Sequence, residues 1–205
     1  MLARASIALA QLQNLRVVEL LATVIANLVE GEVMQMKTDQ KQLLNFDHYI
    51  QKTYLKTATL IAKSCQASVI LAGQAEDVAD IAYQFGRNFG LAFQLVDDML
   101  DFTGTSDELG KPAAADLELG LITAPVLFAL EEAPELMPLV RRQFRESGDP
   151  ARAREIVLRT QGIQRTRQMA DEYCQRAVAA IIQLPESDAR SCLVNLAEKA
   201  ISRKN

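Results

Sequence analysis

The stretch FQLVDDMLDFTGTSDELGKPAAADL, residues Phe93–Leu117, sets six acids and one lysine into a segment that begins apolar. Asp97, Asp98 and Asp101 follow Phe93, Gln94, Leu95 and Val96 directly. Acids placed against an apolar run cost free energy unless a positive partner offsets them. On a helix, Asp97 and Asp101 share a face about 6 Å apart along the axis, and Asp98 lies about 100° round from Asp97. Phe93 and Gln94 sit one turn back, above Asp97 and Asp98. One helical turn thus offers carboxylates, an amide and an aromatic ring to nearly the same space. Carboxylates this close repel one another and stay ionised only beside cations. Mg2+ suits the arrangement, since it takes one or two carboxylates and fills its other positions with water and phosphate. A solvated acidic face is the competing reading. The apolar GLAFQLV immediately before the acids favours the cation.

Outward from this stretch, apolar residues recur at helical spacing along most of the chain. They mark helices over 2–12, 16–36, 47–72, 76–103, 119–132, 134–147, 150–160, 162–184 and 186–202. Glu76, Asp77 and Asp80 open the fourth, where acids suit a helix N-terminus. Ser187 is placed to cap the last. Residues 38–47 form a polar break. Thr103–Ala115 reads as a loop shaped by Gly104, Gly110 and Pro112. No run alternates with period two, and no repeat period appears. The expected fold is all-α, one packed helical bundle over 1–205.

Composition agrees. Of 205 residues, 49% are hydrophobic, and only 9 are Gly and 6 Pro, which favours helix. A net charge of −4 speaks against a nucleic-acid binder. Cys65, Cys174 and Cys192 lie far apart without metal-ligand spacing and read as thiols of a reducing compartment. No apolar run reaches the roughly 18 residues of a membrane span. An EF-hand is excluded because its loop pattern is absent. A di-iron bundle wants Glu-x-x-His pairs, and the single histidine, His48, has Asn45 three residues before it. His48 reads as a surface or capping residue. MLARASIALAQLQNLR carries Arg4 and Arg16 and no acid, as a transit peptide would. Apolar periodicity running on without a break favours an ordinary helix there.

Three further features bear on chemistry. Lys56 and Thr57 interrupt an apolar helix in YLKTATLIAKS. A lysine there either snorkels or serves as a point-charge phosphate ligand. Lys111 sits on the Gly/Pro-shaped loop after the acids, either exposed or within reach of a bound phosphate. Gly86 and Gly90 cost helix propensity. Close approach of another helix or of a ligand is the natural compensation, with neutral packing the other reading.

Together these residues resemble the trans-polyprenyl diphosphate synthases. GLAFQLVDDMLDF resembles that family's second aspartate-rich motif and YLKTATLIAKSC its Lys-Thr motif. LGKPAAADLELGLITAPVLFAL resembles the loop and helix that follow the aspartates, and LVEGEVMQM the Gly-Glu…Gln helix before the Lys-Thr motif. The four stand in the family's order, and the likeness is strongest to the long-chain synthases that make ubiquinone or plastoquinone side chains.

The resemblance implies an isoprenoid-synthase-type all-α bundle around a deep cavity, with Mg2+ as cofactor. It implies that Asp97, Asp98 and Asp101 are metal ligands, Asp97 most directly. Lys56 and Lys111 would hold an allylic diphosphate, with Thr57 and Gln94 beside them. Phe93 would line the reacting carbons, and Gln35 and Asp116 match the motifs without a role of their own. The partners implied are allylic and isopentenyl diphosphates and a second subunit, in a homo- or hetero-oligomer. The location implied is mitochondrial, with cytoplasmic as the alternative.

The family also carries an upstream DDxxD followed by arginines, and before it a Gly-Lys/Arg stretch that binds isopentenyl diphosphate. The only DDxxD here is Asp97–Asp101. The expectation is therefore an N-terminally truncated bundle, the C-terminal portion of such a synthase. A non-catalytic partner subunit of a complete synthase and a helical interaction domain stand as alternatives.

Overall fold

In the computed structural model the described residues are 2–37, 40–104 and 114–203. Among them there is no strand, and the all-α expectation holds. The elements are α1 (Leu2–Gln11), α2 (Leu15–Lys37), α3 (Gln40–Leu43), α4 (Phe46–Thr53), a π turn (Tyr54–Ala58), α5 (Thr59–Leu71) and α6 (Glu76–Thr103). Then follow α7 (Ala115–Glu118), α8 (Ala124–Glu132), a 3-10 turn (Pro134–Leu136), α9 (Met137–Arg141), α10 (Asp149–Arg159), α11 (Gly162–Ile181) and α12 (Asp188–Ile201).

The long helix α6 is the axis of the bundle and packs chiefly against α5 and α11. Its Leu95, Val96, Met99 and Phe102 enter one core with Leu117, Val126, Leu136, Leu139 and Val157. Its Phe85 and Ala92 enter a second core with Cys174, Ala177 and Ile181 of α11. The α5–α6 contact explains the two helix glycines. A Cβ on Gly90 would stand 2.6 Å from Ala58 Cα, and one on Gly86 2.7 Å from Ala62 Cα. Both distances lie inside van der Waals contact, so the backbones touch where Gly faces Ala. Of the open readings, close helix approach is the one observed.

Caps follow local chemistry. Asn45 Oδ1 accepts from Asp47 N at 2.8 Å and His48 N at 3.2 Å, which starts α4. Ser187 Oγ accepts from Arg190 N at 3.2 Å, as its place before α12 predicts.

Two expected helices are shorter. The one over 119–132 begins only at Ala124. Gly120 adopts φ +76, a left-handed conformation that ends the preceding turn, and Pro125 suits the first turn of α8. The one over 134–147 stops at Arg141. Gln143 and Phe144 both take φ 55, which throws the Phe144 ring into the core. Arg142 closes this turn by a two-pronged bond to Asp149: Nε donates to Oδ2 at 2.7 Å and Nη2 to Oδ1 at 2.6 Å.

The hydrogen bonds from Arg142 hold the Asp149 carboxyl below the usual carboxylate range. A depressed folded value means the bond stabilises the fold above the unfolded carboxyl's pKa and is lost as pH falls through the folded one. Asp149→Asn is therefore expected to lower the melting temperature at pH 7. The gap to the parent should begin to narrow below about pH 4, the unfolded value, and close only as pH falls through the lower folded one. Thermal melts across pH 3–8 check it, and a gap constant over that range would refute the linkage.

Candidate active site

The second turn of α4 does not run on as regular helix into α5. Residues Tyr54–Ala58 form a π turn, and Lys56 and Thr57 lie inside it. Such turns are rare and recur at functional sites. Here the turn brings Lys56 and Thr57 onto the same wall as Tyr49, Lys52 and Thr53 of α4. That wall faces Gln94 and Asp98 of α6, Gln35 of α2, Asp116 of α7, and Leu121 and Thr123 before α8. Between them lies a cavity of about 230 Å³, sized for a polar headgroup rather than a long hydrocarbon.

Hydrogen bonds join the walls. The Thr57 hydroxyl donates to Gln94 Oε1 at 2.9 Å, and Gln94 Nε2 donates to Asp98 Oδ1 at 2.8 Å. The Tyr49 hydroxyl donates to Asp98 Oδ2 at 2.6 Å. Lys56 Nζ donates to Gln35 Oε1 at 2.8 Å and pairs with Glu32 at 2.9 Å. Burial pushes the Asp98 carboxyl up to about 7, against the pull of the Tyr49 and Gln94 bonds. The nearby Asp116 adds to the rise, and Lys52 opposes it. Burial, with Asp98 beside it, likewise pushes the Tyr49 hydroxyl well above its ordinary value.

Of the residues singled out in the sequence, Gln35, Lys56, Thr57, Gln94, Asp98 and Asp116 meet on this cavity. Phe93, Asp97 and Asp101 are not among its lining residues. Asp97 is exposed, whereas Asp98 and Asp101 are buried, so the three acids do not form one open cluster. Asp101 Oδ2 accepts from Asp116 N at 3.0 Å, and its carbonyl accepts from Ala114 N at 2.8 Å. It fastens the start of α7 to α6. The Phe93 ring lies against the Arg203 guanidinium, 4.2 Å from the ring centroid, and beside Phe89. Lys111 lies outside the described residues. Among those described, no group of three or more His, Cys, Asp or Glu is arranged around one metal position.

Sequence reasoning passed over Tyr49, Lys52, Thr53 and Thr123. For the first three a signal existed. Tyr49, Lys52, Thr53 and Lys56 follow the i, i+3, i+4, i+7 spacing of one helix face.

An all-helical bundle with lysines, amides and a buried acid around one headgroup-sized cavity is an arrangement suited to a polar, anionic ligand. The chain superposes on the apo Arabidopsis medium/long-chain length prenyl pyrophosphate synthase with a TM-score of 0.88 at 47% identity, covering 98% of this chain and 70% of that one. It superposes on the Caulobacter crescentus polyprenyl synthase, solved with calcium and isoprenyl diphosphate, with a TM-score of 0.91 at 32% identity, covering 99% and 63%. In sequence it is 55% identical to a probable mitochondrial hexaprenyl pyrophosphate synthase of Neurospora crassa, over 99% of this chain and 47% of that protein. It is 46% identical to a decaprenyl-diphosphate synthase of Dictyostelium discoideum, over 99% and 44%. The family model for polyprenyl synthetase matches residues 1–157. The chain belongs to the polyprenyl synthetase family. It spans about half the length of the curated relatives it matches.

Proposed function

We propose that this chain is the diphosphate-holding portion of a long-chain trans-polyprenyl diphosphate synthase, a prenyltransferase serving quinone side-chain synthesis. The observation that carries the reading is the convergence of Lys56 and Thr57, from the π turn, with Gln94 and Asp98, from α6, on one cavity. In the reaction, the bond between the allylic carbon and a diphosphate oxygen breaks, and its electron pair leaves with the diphosphate. Electrons of the isopentenyl double bond then form the new carbon–carbon bond, and a proton departs. The Lys56 ammonium offsets the charge that grows on the leaving group, a preorganised contact worth more in a dry site than in water. Thr57 and Gln94, bonded to each other, fix the polar wall against which the headgroup rests, and Gln35 holds Lys56. In this reading Lys111 supplies a second cation to the diphosphate, and Phe93, which does not line the headgroup cavity, an aromatic surface on the side of the hydrocarbon.

Mg2+ is the cofactor in this reading. A hard cation that needs only one or two carboxylates fits Asp97, the exposed acid of the three. Asp98 and Asp101 accept hydrogen bonds within the fold and fit a supporting place behind it. When bound, the ion neutralises diphosphate charge. The broad exposed apolar face of α1 and α2, with Ile7, Leu15, Val29 and Met36, supports association with a second subunit, of this chain or of another synthase. The name of the Neurospora relative supports a mitochondrial location.

The test is a chimera in which this chain replaces the corresponding part of the Neurospora crassa relative. It is supplied with an allylic diphosphate, labelled isopentenyl diphosphate and Mg2+. Elongation at a rate comparable with the parent enzyme is expected. A chimera that folds and melts like the parent yet makes no product would overturn the reading.

A further inference from the structure

Lys52 stands one helical turn before Lys56 on the wall of the same cavity. The two lysines differ in what they meet. Lys56 is engaged by Gln35 and Glu32. Lys52 makes no hydrogen bond or ion pair with a described residue; its Nζ lies over the face of Tyr49, 5.9 Å from the ring centroid. Lys52 also lines a smaller adjoining cavity with Leu43, His48, Gly120 and Gln143, so it stands where the two spaces meet. Burial lowers its ammonium pKa, Lys56 lowers it further, and Asp98, Asp116 and Glu32 oppose the shift.

Thr123 lines the same cavity. It is 6% exposed, and its hydroxyl has no hydrogen-bond partner among the described residues. It sits at the N-terminal end of α8 but does not cap the helix with its side chain. A buried hydroxyl in that condition destabilises the fold unless something reaches it. Among the described residues the cavity therefore contains an ammonium without a salt bridge and a hydroxyl without a hydrogen-bond partner, contributed by elements far apart in sequence. A phosphate oxygen satisfies both at once: it accepts from the ammonium as a charge-assisted bond and from the hydroxyl.

We propose that Lys52 and Thr123 form a second phosphate-oxygen contact of this cavity, distinct from the Lys56–Thr57 contact, so that a diphosphate is gripped from two sides. The inference rests on the cavity being a diphosphate site. A bland role for Lys52 is to balance the charges of Asp98 and Asp116, and the two roles differ in what they do to stability and to binding.

The experiment is calorimetric titration of the full chain with inorganic diphosphate in Mg2+, paired with melts in the absence of diphosphate. Lys52→Met, which keeps the stem and removes the charge, is expected to weaken binding about tenfold, and Lys52→Arg to keep most of it. Thr123→Val is expected to weaken binding about threefold to tenfold. The same change should raise the melting temperature of the protein without diphosphate by about 2 °C, because an unpartnered buried hydroxyl is replaced by a methyl. A structural role would not move the two readouts in opposite directions. Lys63→Met, on α5 outside the cavity and paired with Thr23, should leave binding unchanged. Binding by the parent with no loss in Lys52→Met and Thr123→Val overturns this inference alone. Lower melting temperatures in both variants with unaltered binding assign them to the fold and overturn it as well. A parent that binds no diphosphate overturns the assignment of the cavity and this inference with it.

Discussion

Lys56→Met in the Neurospora chimera is expected to cut turnover by about 10²-fold to 10³-fold, the usual loss when one preorganised donor to developing negative charge is removed. The substitution keeps the length of the side chain and deletes its ammonium. Charge on the leaving diphosphate grows as its bond to carbon breaks, so kcat should fall more than KM rises. Stability should change little. The pair with Glu32 is partly exposed, with side chains 25% and 50% accessible, and such pairs contribute about 0–1 kcal/mol. Lys56→Arg should rescue only in part. A Cβ on Gly31 would stand 2.7 Å from Lys56 Cγ, so the lysine stem is already packed against the α2 backbone and a longer, planar head has little room to settle. Steady-state kinetics with both substrates checks the result. A Lys56→Met enzyme that turns over like its parent would remove Lys56 from the leaving-group contact.

The second large effect concerns the fold. Gly90→Val is expected to destabilise the protein by about 3 kcal/mol, the upper part of the range for overpacking, which is about 6–12 °C in melting temperature. The neighbours it meets are Ala58 Cα at 2.6 Å and Ala58 Cβ at 2.9 Å from the first added carbon. Backbone cannot swing aside as a flexible side chain can, so α6 must move off the π turn. That motion also carries Gln94 and Asp98 away from Thr57 and Tyr49. Binding of diphosphate should therefore weaken along with stability, unlike the outcome for Lys56→Met. Thermal melts and calorimetry on the same variant check both arms. A variant melting within a degree or two of the parent would show that the helices have slack at this crossing.

Much of the bundle is visible in the periodicity of the chain. The spacing over 16–36 and 76–103 marks α2 and α6 to within a residue or so. α6 buries a long stripe from Ala79 to Phe102, whereas α2 keeps the helical rhythm while burying little beyond Val17 and Val24. Gly86 and Gly90 also speak plainly, since two glycines one turn apart in a helix need a near neighbour. Periodicity fails where the chain turns without losing its apolar rhythm. Leu119, Gly120, Leu121 and Ile122 read as helix, yet Gly120 turns left-handed and leaves Leu119 in solvent. Thr123 thereby escapes notice, since a threonine in a helix interior suggests nothing, whereas a threonine before one, facing a cavity, does. The same holds for Gln143 and Phe144, whose backbone conformation no local pattern announces.

The acid motif shows a second kind of limit. A helical wheel places Gln94 above Asp98 correctly, but it cannot say which acid is buried. That depends on Tyr49, whose hydroxyl meets Asp98 across 49 residues of sequence, and on Asp116, whose backbone N–H donates to Asp101. Nor can it foresee Arg203 lying on Phe93 from the far end of the chain. Lys52 and Tyr49 are legible in the sequence, one and two turns before Lys56 on its helix face.

The π turn at Tyr54–Ala58 has a consequence for how this segment tolerates change over evolutionary time. Point substitutions there alter single contacts. Loss of one residue would do more, because it would return the turn to regular helix and rotate everything before it by about 100° relative to α5. Tyr49, Lys52 and Thr53 would leave the cavity wall together, with every one of those side chains still present. Drift should therefore show as exchanged letters within Tyr54–Ala58 and not as gaps: what is constrained is the number of residues, before their kind.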